Sequence, residues 1–253
     1  MPFTFSHPAI VLPLAVLPRR RFSATGLIAG SMAPDFEYFL RMKVHSAYSH
    51  TLWGLAAFDL PLGILMAFVF HELVKPSLIP NLPGYLQVRY SPFAGFSWRR
   101  YFTGYWPVVC YSVLLGAASH VLWDSFTHEH GYFVENWQAL TGMVTWGSME
   151  VPVYKILQHG STLAGALMIL LFIHKLPVGN QSTQSTDFRY WCVVTGITAT
   201  IVGVRLLMGL QVTAYGNLVV TFIAALLAAL ILTPLVLRGI NMGDRKAAGE
   251  GGR

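Results

Sequence analysis

The sequence predicts an all-α, polytopic membrane helix bundle, and three observations predict it. Of its 253 residues, 54% are hydrophobic and only 11% are charged, whereas an ordinary soluble domain is about a quarter charged. The mean hydropathy is +0.53. Five apolar runs are long enough to cross roughly 30 Å of hydrocarbon. A soluble globular domain, a disordered chain and a disulfide-built secreted module are set aside on these grounds. Cys110 and Cys192 lie inside apolar runs and read as packed thiols rather than a bridge or a metal knuckle.

Two apolar pieces come first, at 8–17 and 24–32, split by Arg19-Arg20-Arg21. At about 1.5 Å per residue each is short for a span. They are expected as a helical pair beside the bundle, whether as a tight hairpin, a re-entrant pair or packed helices. Five spans follow at 52–71, 105–123, 161–174, 190–211 and 217–237, the last two joined by the short turn Thr213-Ala214-Tyr215-Gly216. Residues 75–104 mix proline, aromatics and arginine, a composition suited to a loop at the headgroups. The chain thus divides into a helical region with three spans (1–176), a two-span hairpin (177–238) and a flexible tail (239–253).

Lysine and arginine number 17 against 11 acidic residues. They fall in short groups between apolar runs instead of forming one patch, so no nucleic-acid partner is expected, and they act as topology determinants. With the amino terminus outside and the carboxyl terminus inside, only Arg41, Lys43 and Lys155 are external and Arg205 lies within a span; the reverse orientation exposes about thirteen basic residues. No basic residue precedes the first apolar stretch, so it does not read as a cleavable signal peptide.

On this topology the metal-binding residue types gather at the outer face. His7 precedes the first apolar piece, and Asp35 and Glu37 follow the second. His45 and His50 precede the span that starts at Leu52. His120, Asp124, His128 and His130 close the second span, and His159 opens the third. The strongest local signal is His120-x-x-x-Asp124-x-x-x-His128. Steps of four place the three side chains on one helical stripe, about 6 Å apart along the axis. His120 and His128, roughly 12 Å apart on a straight helix, cannot share one ion. Either the helix ends before His128 or the site holds more than one metal. Histidine and carboxylate ligands suit Zn²⁺, and also Mn²⁺ or Fe²⁺. His71 and His174, at the inner ends of their spans, read as packed or interfacial histidines. Asp35 follows Ala33-Pro34, which is expected to break the preceding helix.

The opening Met1-Pro-Phe-Thr-Phe-Ser-His7-Pro8, the segment Ser31-Met-Ala-Pro-Asp35-Phe-Glu37, Ser49-His50 and His120-x-x-x-Asp124 resemble an uncharacterised bacterial membrane family, domain of unknown function 4184. More loosely they are similar to the YdjM-like membrane-bound metal-dependent hydrolases. There a Pro-Asp-x-Asp segment, a His-x-x-x-x-His pair and a His-x-x-x-Asp pair recur; here Glu37 replaces the second Asp, and His45 and His50 match the paired histidines. The order of residue types is also similar to that of zinc-dependent phospholipase C. That resemblance implies a ligand set of His7, Asp35, His50, His120, Asp124, His128 and His159. Leu163 stands where those enzymes place a closing Glu, with Glu150 a possible substitute. The resemblance covers roughly residues 1–165 and implies a bacterial inner-membrane protein.

A cluster of this kind makes hydroxide available near neutral pH. The expected function is metal-dependent hydrolysis, most plausibly of a phosphoester in a lipid or other envelope molecule. Asp35 and Asp124 would bridge metals or orient water, and Glu37 and Glu129 are candidate bases or supporting groups. The alternative is a non-catalytic metal-binding or metal-transporting membrane protein. Two further ionisable residues within spans, Asp59 and Arg205, are expected to form a buried ion pair.

Overall fold

A computed structural model describes residues 3–180 and 183–250. A 3-10 turn over Thr4–Ser6 leads into α1 (Pro8–Ala15), with Pro8 at the first helical position, where its missing N–H costs nothing. Then come α2 (Ala24–Arg41) and α3, a continuous helical run over Leu52–Asn81 with π segments at Leu55–Asp59 and Phe70–Val74. The short α4 (Gly84–Tyr90) precedes α5 (Trp98–Thr127), which kinks at Tyr105, two residues before Pro107. Two short helices, α6 (Tyr132–Asn136) and α7 (Gln138–Thr141), are followed by an antiparallel hairpin of β1 (Met143–Trp146) and β2 (Met149–Pro152). The chain ends with α8 (Val153–His174), α9 (Phe188–Leu207) and α10 (Tyr215–Glu250).

Among the described residues the protein is all-α apart from this hairpin. Among these residues, five helical runs are long and apolar enough to cross a membrane, starting at Leu52, Trp98, Val153, Phe188 and Tyr215. These are the five expected spans. Three local readings are corrected. The segment from Trp98, expected in a loop, is the first turn of α5, and Lys75–Leu78 continues the helix of α3. Pro34 does not break α2, which runs on to Arg41; a proline removes one hydrogen bond, and here the packing of the fully buried Leu27, Ser31 and Ala33 holds the helix together. Residues 251–253, the end of the tail set apart by the sequence, lie outside the described residues.

The chain forms two compact units. The first comprises Met1–Glu37, Ser46–Ala67 and Arg99–Leu176. Its centre is the close approach of α2 to α5. A methyl group on Gly30 would overlap the Val113 carbonyl, and one on Gly116 would overlap that of Leu27. Such small residues let helix backbones touch in an apolar medium. The pairing advances together along both chains, from Ser23 N–H donating to Ser112 Oγ (2.9 Å) to His120 Nδ1 meeting the Ser31 carbonyl (2.7 Å), so α2 and α5 run parallel. The amino-terminal turn docks on α8: Phe3 N–H donates to Thr162 Oγ1 (3.1 Å) and Ser6 Oγ to the Thr162 carbonyl (3.0 Å).

The second unit comprises Tyr38–His45, Phe68–Trp98 and Pro177–Arg253. It is built on the α9–α10 hairpin, where Tyr190, Val194 and Ala229 are buried against Leu78, Trp191 and Leu226. Within it Arg205 Nη2 donates to the Met42 carbonyl at 3.2 Å. In the first unit both carboxylate oxygens of Asp59 are buried without a hydrogen-bond partner. Asp59 and Arg205, expected as an ion pair, thus belong to different units. Arg205 sits only two residues from the end of α9 at Leu207, about 3 Å from it by helix rise, because the helix stops earlier than hydropathy alone suggested.

Candidate metal centre

Three segments of the first unit deliver four histidines and carboxylates to one place. Asp35 comes from α2, His50 from the loop before α3, and His120 and Asp124 from successive turns of α5. One ligand atom from each lies within 4.8 Å of every other, the arrangement a single cation needs. His120 Nε2 stands 3.5 Å from Asp35 Oδ1 and 3.3 Å from Asp124 Oδ2, and His50 Nε2 stands 3.7 and 3.6 Å from the same oxygens. Asp35 and His120 are wholly buried.

Most of the donor atoms that face the centre are orphans. His120 Nε2, Asp35 Oδ1 and Asp124 Oδ1 are buried with no hydrogen-bond partner, as are both ring nitrogens of His7 and Nε2 of His128. Burying a polar atom unpaired costs about 1–3 kcal/mol, and more for a charged one. So many such atoms aimed at one spot are tolerable where a cation gathers them. The outward faces of the same side chains are tied down. His120 Nδ1 lies 2.7 Å from the Ser31 carbonyl, His128 Nδ1 3.1 Å from the Asp124 carbonyl and His50 Nδ1 2.9 Å from Ser49 Oγ. A Nδ1–H that donates to a carbonyl fixes the tautomer and leaves the Nε2 lone pair for a metal. Thr4 Oγ1 donates to Asp35 Oδ2 and steadies the carboxylate from its other side.

His7 and His128 flank this group. The His7 ring stacks on that of His120 at 3.7 Å between centroids, with Nε2 3.5 Å from Asp124 Oδ1. Burial, reinforced by the neighbouring His120, pushes the His7 imidazole down to about 3, against the pull of Asp124 and Asp35. Burial alone would raise the Asp35 carboxyl, but the neighbouring His120 prevails and holds it below the usual carboxylate range. α5 ends at Thr127, so His128 lies just past the helix, the first of the two possibilities its spacing allowed. Its side chain is 29% exposed and that of His50 is 20% exposed, which makes these two the accessible rim of an otherwise sealed centre.

The other residues nominated from the sequence stand elsewhere. Glu37, a candidate base, turns its buried carboxylate to the loop that carries His50: Oε1 accepts from Ala47 N–H (2.9 Å), and Oε2 from Tyr48 and Ser49 N–H (3.0 Å each). It positions His50. His159 is exposed on α8 and is not part of the four-residue group. His45, Glu129, His130 and Glu150 are likewise exposed. Thr4, the Ser31 carbonyl and Thr162 support the centre without any local sequence signal, because each acts across a long-range contact.

The profile of a protein family described as Domain of unknown function (DUF4184) matches residues 1–235. No curated protein and no solved structure matches the chain.

Proposed function

Starting from the fact that the chain belongs to the family DUF4184, a domain of unknown function, we propose that it is a membrane-embedded, metal-dependent hydrolase of a phosphoester in a lipid or envelope substrate. The observation that carries the reading is the convergence of one ligand atom each from Asp35, His50, His120 and Asp124, all within 4.8 Å of one another. Two imidazoles and two carboxylates with open positions are the ligand chemistry of Zn²⁺, with Mn²⁺ and Fe²⁺ as neighbours in preference. When bound, such an ion supplies Lewis acidity: it acidifies a water and neutralises charge on phosphoryl oxygens.

The chain's own residues do the rest. Asp35 and His120, fully buried and braced by Thr4 and the Ser31 carbonyl, hold the inner side of the centre rigid. Asp124 offers one oxygen toward His120 and His50 and the other toward His7, so it can accept a proton or a second contact without leaving its ligands. His50 and His128 stand where substrate arrives. The loop and helix start beside His50 expose Tyr48 (60%), Leu52 (86%) and Trp53 (79%), an aromatic and apolar rim suited to the membrane interface and to a lipid substrate. On this reading the amino terminus and the centre lie on the outer face of a bacterial inner membrane and the carboxyl terminus is cytoplasmic, an orientation that the distribution of basic residues supports.

Elemental analysis of the purified full chain beside a His120→Ala/Asp124→Ala variant tests the centre, and a panel of phosphoester lipids tests the chemistry. Stoichiometric zinc, manganese or iron, lost in the variant together with hydrolysis, is the expected result. Metal-free protein that fails to reload would return these side chains to a packing role. Metal without turnover on any phosphoester would leave a binding or carrier protein.

A further inference from the structure

The second unit contains a cavity of about 280 Å³ whose lining includes Met42, Lys43, Arg205, Gln211, Ala214 and Asn217. Two cations line it and no carboxylate does. Arg205 has five N–H donors and a charge that proteins do not remove. Its Nη2 donates to the Met42 carbonyl, while its Nε is buried with no hydrogen-bond partner. A buried donor on a charged side chain is costly to leave unmet, and a ligand that accepts from Arg205 Nε removes that cost. The remaining lining points the same way. Ala214 and Asn217 bracket the start of α10, a helix with no acidic residue in its first turn, so its leading N–H groups and dipole favour an anion. Asn217 spends its Oδ1 on Val44 N–H (2.9 Å), which leaves its amide nitrogen as a donor.

We propose that this cavity binds the phosphate of an anionic phospholipid headgroup, with Arg205 and Lys43 as its charge partners. A multi-oxygen anion is what a guanidinium, an ammonium, an amide and a helix start have in common as a ligand. The depth agrees, because Arg205 lies in the last turn of α9, at the level where a span meets the headgroups. Leu207 (90% exposed), Val219 (53%) and Phe222 (51%) offer apolar surface on the same two helices for the acyl chains. The cavity is separate from the metal centre in its residues and independent of the hydrolase reading.

The test is native mass spectrometry of the full chain in detergent, titrated with dioleoyl phosphatidylglycerol or dioleoyl phosphatidylcholine, for wild type, Arg205→Gln and Lys43→Gln. One phosphatidylglycerol retained by wild type, about tenfold more weakly by Arg205→Gln and several-fold more weakly by Lys43→Gln, is the expected result. Lys43 is exposed, so its variant remains informative if Arg205→Gln fails to fold. Millimolar inorganic phosphate that raises the thermal midpoint of wild type and not of Lys43→Gln would assign the free anion as ligand and also support the site. Equal retention of the two lipids, or undiminished phosphatidylglycerol binding by both variants, overturns it.

Discussion

Glu37 shows how much a single side chain can do without touching the metal. Three backbone N–H groups, of Ala47, Tyr48 and Ser49, converge on its carboxylate and set the loop that ends in His50. Glutamine is nearly isosteric but puts an NH₂ donor where one of those N–H groups needs an acceptor. Glu37→Gln is therefore expected to weaken metal binding by about 10–100-fold, the usual effect of losing a group that orients a ligand. The protein should remain folded, and a metal titration against a competing chelator reads the change. An unaltered affinity would mean that His50 is either held by other contacts or is not a ligand. The sequence made part of this centre legible. Steps of four expose the His120/Asp124 stripe, and residue type near span ends nominates Asp35 and His50. The role of Glu37 is hidden because its partners are backbone atoms ten to twelve residues away, and backbone donors leave no trace in residue identity. His159 misleads for the converse reason: it has the right residue type and order, but the structure leaves it exposed.

At the scale of elements, the distance between Asp35 and His120 is set by the glycines of α2 and α5. Replacing Gly30 by alanine forces a methyl into the Val113 carbonyl, so the helices must part near the centre. The expected cost is about 1–3 kcal/mol of stability, as for other overpacked sites, together with loss of stoichiometric metal. Gly196, on α9, has nothing within reach of an added methyl. Gly196→Ala should be neutral or slightly stabilising and should keep its metal. Thermal midpoints and metal content of the two variants decide the matter; equal behaviour would show that the α2–α5 contact does not govern the centre. The spans were readable because hydropathy is a local sum over some twenty residues. The extra turns of α5 at Trp98 were not, since Arg99 and Arg100 lower the hydropathy of a segment that is still helical. Nor was the continuity of α2 through Pro34, which rests on burial against a helix far away in sequence. The hairpin of β1 and β2 escaped too, its four-residue strands being too short to show a period.

For the whole molecule, the buried centre ties folding to pH. His7 is held neutral, its pKa lowered from 6.5 to about 3, while in the unfolded chain it titrates normally. Between those values the unfolded state binds more protons than the folded one, so stability present above pH 6.5 is lost progressively as the pH falls toward 3. Asp35, whose folded pKa is also lowered from its ordinary 3.8, acts in the same direction over a lower window, its contribution present above that value and lost on further acidification. Chelator-treated protein should therefore show a thermal midpoint that falls as the pH drops below about 6.5, and His7→Gln, which removes the titrating group, should flatten the upper part of that fall. Restoring zinc should raise the midpoint, since a ligand that binds only the folded state stabilises it. The gain should shrink as the pH falls, because protons compete for the same imidazole and carboxylate atoms. A midpoint that stays level down to about pH 4 in metal-free wild type, or that falls equally in His7→Gln, would show that His7 is protonated freely in the folded state. The centre would then be open where its geometry is closed, and the case for a cation that gathers its unpaired atoms would lose its physical ground.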